Sequence, residues 1–150
     1  MRFSDCIKEE RLTETGEKDA NKAQELLALA AHKASFWEEV DDKAPAYPSL
    51  FVEGHYEIIK ELATAILCLD GWKAENHDCL FQYLVEKRQD LELDFEYLAE
   101  LRKLRNKIDY HGIKVSNDMW KQNKMRIQLI IRALRDYINK RLEKDHPLPQ

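Results

Sequence analysis

Cysteine, glycine and proline are scarce in this chain of 150 residues, with three, four and four copies. Cys6, Cys68 and Cys79 lie far apart and form no CxxC pair. An odd number of thiols without ligand spacing predicts neither a disulfide framework nor a zinc site, and fits a reducing cytoplasm. The glycines stand singly, so there is no glycine-rich loop to cradle a phosphate, and no GxSxG or Cys/His pairing suggests a nucleophile. The longest apolar run, LATAILCL at 62–69, is far too short to span a bilayer. The opening MRFSDCIKEER has no apolar signal core. A formal net charge of −4 argues against a surface coated in basic groups, although it leaves room for a local basic site. The expectation is a soluble, cytoplasmic chain with no membrane segment.

What is abundant is charge, at 35% of residues, together with apolar residues at helical spacing. Residues 1–17 are polar and aperiodic, and read as a short helix or arm rather than a core element. From Asp19 to about Val40, Ala23, Leu26, Leu27, Ala30, Ala34 and Trp37 recur with helical period. DDKAPAYPS interrupts them, and Ser49 is a candidate cap for a second helix that Gly71 ends. A third helix follows Asn76, through Leu80, Phe81 and Leu84. A fourth runs from about Asp94, and a long fifth, capped by Ser116 or Asn117, carries Trp120, Ile127, Ile130, Leu134 and Ile138. The predicted fold is an all-α, up-and-down antiparallel bundle of about five helices over 18–143, with 144–150 as a tail.

The fourth helix ends in RNKIDYHG, residues 105–112. Tyr97, Leu101, Leu104 and Ile108 fall in one stripe that must face the core. Arg105 lies at its border, with Arg102 and Asp109 further round on that side. Arg105 and His111 are six positions apart, roughly 240° around an ideal helix and 9 Å along it. They converge only if the helix stops before His111 or if a second copy supplies the partner. Structural roles are also available: Arg105 and Asp109 have the spacing of a simple ion pair, and His111 could complement the helix dipole. Arg102, Lys103, Lys107 and Lys114 make 102–114 a basic island in an acidic chain, read either as an RNA or nucleotide contact or as a solvated charge run.

The motif and the helices before it resemble the HEPN family (higher eukaryotes and prokaryotes nucleotide-binding) over roughly residues 5–143. Arg105-Asn106, then KIDY, then His111 matches the family's Arg, polar residue, spacer and His. GHYEIIKELATAILCLDGW is similar to the family's helix with an early aromatic, a central polar position and a terminal Gly. NHDCL at 76–80 resembles its next, His-containing helix start. The resemblance implies a bundle that dimerises and brings two motif copies to one site. Active members are metal-independent endoribonucleases, many of them toxins paired with a minimal nucleotidyltransferase antitoxin; others are non-catalytic nucleotide- or protein-binding and dimerisation modules.

On this reading His111 moves protons, Arg105 holds the phosphate and Asn106 orients one or the other. Arg102, Lys107 and Lys114 would bind RNA or nucleotide, and Glu61, at the family's central polar position, and Asp109 would support the site. Toxin members commonly carry Tyr two residues past the His, where the antitoxin adenylylates it. Ile113 stands there instead, so that modification is not expected at this position. His55 falls on an apolar face and reads as structural, His77 as a first-turn or packing residue, and His146 as part of the tail. No HxxxH or HExxH spacing occurs, so neither a metal site nor a cofactor is expected.

Overall fold

The computed structural model describes residues 2–145, with the side chain of Asp145 left out, so His146 and nearly all of the expected tail lie outside the described residues. Six helices and a two-stranded ribbon follow in the order α1 (Phe3–Lys8), β1 (Leu12–Glu14), α2 (Ala20–Glu39), a 3-10 turn (Asp41–Lys43), α3 (Pro48–Asp70), β2 (Trp72–Ala74), α4 (His77–Lys87), α5 (Phe95–His111) and α6 (Asn117–Asp145). This is an all-α bundle. Among the described residues no helix is long and apolar enough to cross a membrane.

α3 is the central rod. Phe51, Val52, Ile58, Ile59, Leu62 and Ile66 are buried along it, because α2, α4, α5 and α6 all pack against it. A helix apolar on nearly every side needs such cover. Gly54 marks its tightest approach: a methyl group there would run into the indole of Trp37 on α2. Trp37, Phe51 and Trp120 enclose His55, whose Nδ1–H donates to the Phe51 carbonyl at 2.7 Å. Burial lowers its pKa, with the Phe51 bond and Asp41 opposing and Lys124 adding to the shift. His55 is thus structural, as its apolar spacing indicates.

Local capping chemistry fixes the helix ends. Asp19, Asn76 and Asp94 accept from the backbone N–H three residues on, at the starts of α2, α4 and α5. Gly71 and Gly112 close α3 and α5 with φ of 75° and 62°, a left-handed backbone that glycine adopts without Cβ strain. Ser49 differs from expectation. Pro48 opens α3 after Tyr47, which suits a residue with fixed φ and no N–H. The Ser49 hydroxyl accepts instead from Val115 N–H at 2.9 Å, pinning the loop after α5 to the start of α3.

The N-terminal segment departs most from the sequence reading. Cys6 and Leu12 are fully or nearly fully buried, and α1 is bound to α4 through a Cys6–Cys79 disulfide with Cα atoms 5.7 Å apart. β1 pairs antiparallel with β2 in the register Leu12↔Ala74, Thr13↔Lys73, Glu14↔Trp72. The polar arm is therefore a docked element, and the absence of a disulfide expected from spacing is corrected. A pairing across 73 positions is created by tertiary packing and has no local pattern. The expected reducing compartment thereby loses its cysteine argument, since disulfides persist in oxidising surroundings. Cys68 is a free, buried thiol.

A second cross-link lies at the end of α3. The Asp70 carboxylate, 3% exposed, receives Arg88 through two bonds of 2.6 and 2.8 Å, Tyr83 at 2.8 Å and Arg141 at 2.9 Å. Burial alone would raise the Asp70 pKa; the donors from Arg88, Tyr83 and Arg141 outweigh it and hold it low. The network joins α3, α4 and α6 at one end of the bundle.

Candidate functional site

α5 runs unbroken from Phe95 to His111. The route to convergence in which the helix ends before His111 is therefore closed, and within one chain the two side chains leave α5 in different directions. Arg105 is held against the bundle, its side chain 20% exposed. Its guanidinium meets Asp109 at 2.8 Å and stands over the Tyr56 ring, 5.5 Å from the centroid. His111 is exposed at the last turn, next to Tyr110, which is 74% exposed. The ion pair available from the i,i+4 spacing is thus present.

The other sequence-derived residues divide in two groups. Arg102 lies one turn before Arg105 and pairs with Asp78 on α4 at 3.2 Å. Asn106 is half-buried beside them, while Lys107 and Lys114 are exposed around the end of α5. Glu61 does not join this group. It is buried, 7% exposed, and bonds Lys33 of α2 through Oε1, leaving Oε2 without a hydrogen-bond partner. Its role is to tie α2 to α3.

The surroundings of Arg105 hold groups that the sequence reading passed over. Glu53, on the α3 face toward α5, confronts Asp109 carboxylate to carboxylate. Burial, their hydrogen bond and their like charge raise the Glu53 pKa, and Arg105 opposes the rise. One turn further along α3, the Tyr56 hydroxyl lies 3.3 Å from His77 Nδ1. Burial pushes the Tyr56 pKa up, with Arg105 and Arg102 pulling it down, so the phenol keeps its proton. Burial lowers the His77 pKa first; Lys60, Arg105 and Arg102 lower it further, against Glu57. His77 thus faces cations that disfavour its protonated form. It is the histidine on Arg105's side of the chain, whereas His111 is not.

A local signal for this cluster existed. Glu53, Tyr56, Lys60 and Thr64 recur at i, i+3, i+7 and i+11, a polar stripe on an otherwise apolar helix. His77 had no such signal, because only the fold lays the first turn of α4 against that stripe.

Chemically, the face offers two guanidinium groups, an imidazole, a phenol and three carboxylates within one surface of α3, α4 and α5. Among the described residues, no group of three or more His, Cys, Asp or Glu side chains is placed to hold a metal ion. Comparison with family models, curated proteins and solved structures finds no match to this chain.

Proposed function

We propose that this chain is a HEPN-type, metal-independent endoribonuclease that acts as a homodimer. The observation that carries the reading is the separation of Arg105 from His111 on one continuous helix. Each protomer then holds an incomplete site, and a second copy completes it. Leu50, Tyr110 and Ile113 are exposed near the end of α5, where Ser49 and Val115 join the two segments, and they supply apolar surface for the pairing.

In the paired site the imidazole of one His111 takes the 2′-hydroxyl proton. The freed oxygen attacks phosphorus, Arg105 groups neutralise the crowded phosphorane, and the second His111 protonates the departing 5′-oxygen. The products are a 2′,3′-cyclic phosphate and a 5′-hydroxyl end. The resemblance also proposes the setting, a toxin restrained by a minimal nucleotidyltransferase antitoxin.

A second reading is a non-catalytic nucleotide- or protein-binding module, and one observation favours it. Arg105 already has Asp109 as its partner and lies near Glu53, so a phosphate must displace a carboxylate to reach it. Incubation with single-stranded RNA in excess EDTA separates the two. The nuclease reading expects cyclic-phosphate ends, lost by about 10²–10⁴-fold in Arg105→Ala and in His111→Ala. RNA binding without cleavage at any protein concentration leaves the binding module.

A further inference from the structure

Beside the Arg105 face is a cleft of about 720 Å³, within the range of small-ligand sites. Its walls are the loop from β1 to α2, the first turn of α2, the middle of α3, β2 with the loop after it, and the start of α4. Four lysines line it: Lys18, Lys22, Lys60 and Lys73. Lys60 is paired with Glu57 at 2.8 Å and Lys73 with Glu75 at 3.6 Å. Among the described residues, Lys18 and Lys22 have no carboxylate within ion-pair distance.

Three carboxylates share the walls: Asp19, which caps α2, Glu75, which meets Lys73, and Glu17. Leu67, Cys68, Leu80 and Trp72 add apolar surface to the cleft lining. Burial pushes the Cys68 thiol pKa up, with Lys22 opposing the rise and Asp19 adding to it, which disfavours the thiolate there. Asn76 uses its side-chain oxygen on Cys79 N–H, so its amide nitrogen remains to donate. His77 belongs to both places: it lines the cleft and touches Tyr56, which lies under Arg105.

We propose that this cleft is a nucleotide subsite, with Lys18 and Lys22 on a phosphate and the apolar lining against a face of the base, sharing His77 with the Arg105 face. An amphipathic lining of this kind matches a nucleoside phosphate, which is anionic at one end and carries a flat ring with apolar faces at the other. The ligand is either a free mononucleotide or the nucleotide flanking the phosphate at Arg105. Only the second choice rests on the ribonuclease reading. A chain crossing from one place to the other would pass His77.

The test is anisotropy of a fluorescent, uncleavable 2′-O-methyl oligonucleotide with the full chain, with AMP added as competitor. Lys18→Glu and Lys22→Glu are compared with Lys140→Glu, a charge reversal on the exposed side of α6. The expected result is a loss of affinity of about fivefold or more for the first two, a salt slope lower by about 1 per lysine, and no comparable loss for Lys140→Glu. If AMP displaces the oligonucleotide and itself depends on Lys22, the subsite takes a free nucleotide. If only the oligonucleotide binds, it takes RNA. Unchanged binding in both cleft variants, with circular dichroism confirming their fold, overturns the subsite even if RNA cleavage persists. AMP bound through Lys22 by a chain that cuts nothing keeps the subsite and removes the nuclease.

Discussion

Arg105 and Asp109 clasp one another across a single turn of α5 at 2.8 Å, directly over the Tyr56 ring. The pair keeps the motif's arginine in place and also competes for it. A pair of this spacing contributes only about 0.2–0.5 kcal/mol, so a phosphate can displace the carboxylate at small cost. Asp109→Asn keeps the shape, removes the competing charge and relieves Glu53 of a like-charged neighbour. Affinity for an uncleavable RNA is expected to rise about two- to fivefold, read by anisotropy at fixed salt. A fall instead would mean that the carboxylate positions Arg105 for its ligand.

His55 and His77 give stability a defined dependence on pH. Both have folded pKa values below the ordinary 6.5, chiefly through burial. Above the unfolded value both states are neutral and no stability is lost. As pH falls through about 6.5 the unfolded chain binds protons first, and stability drops until the lowered folded values are reached. Urea unfolding at pH 7.5 and pH 5.5 is expected to show the lower midpoint at pH 5.5, and His55→Gln should flatten the slope whatever it does to the midpoint. An unchanged slope in that variant would remove His55 as a source.

How much of this was legible in the sequence follows from distance along the chain. The caps at Asp19, Asn76 and Asp94 and the stop at Gly71 are local events, and local spacing locates them. The Arg105–Asp109 pair is equally local. Tyr56 with His77, Ser49 with Val115 and Cys6 with Cys79 join segments 21, 66 and 73 positions apart. Their spacing carries no period, because packing rather than helix geometry brings them together. Hence the motif's arginine was evident from sequence, while His77, which shares Tyr56 with it, was not.

At the far end of the bundle, Asp70→Asn tests the cross-link of α3, α4 and α6. The amide keeps the volume but leaves Arg88 and Arg141 without their shared anion. Breaking a buried pair costs about 3–5 kcal/mol; the two guanidinium groups stay 27% and 18% exposed, which moves the expected loss to about 2–3 kcal/mol. The lowered Asp70 pKa contributes stability that is present above the ordinary carboxylate range and lost as pH falls through and below it. Denaturant melts near pH 7 and pH 3 should therefore show the variant's deficit shrinking in acid.

Gly54→Ala separates two opposed effects inside α3. Alanine in a helix interior gains about 1 kcal/mol over glycine, whereas overpacking costs about 1–3 kcal/mol or more. Here the methyl would meet the rigid Trp37 ring, so overpacking wins. The expected outcome is net destabilisation of about 2 kcal/mol, and recovery when Trp37→Leu is added. Simple additivity of the two losses would show that the indole is not what crowds the position.

The Cys6–Cys79 bond holds α1 against α4, two residues from His77 and beside the ribbon that walls the cleft. Closing a loop of that length restricts the unfolded chain and is worth roughly 2–4 kcal/mol. Reduction should therefore lower the thermal midpoint and release β1 together with α1, since a three-residue ribbon cannot hold alone. Mass spectrometry after alkylation of the unreduced, unfolded chain should find one labelled cysteine, Cys68, and three after reduction. Amide exchange gives the local reading: with dithiothreitol, protection is expected to fall first at residues 12–15 and 72–75, ahead of α3. Three labelled cysteines without reductant, at undiminished stability, would remove the bond and leave the N-terminal segment held by Leu12 and its ribbon alone.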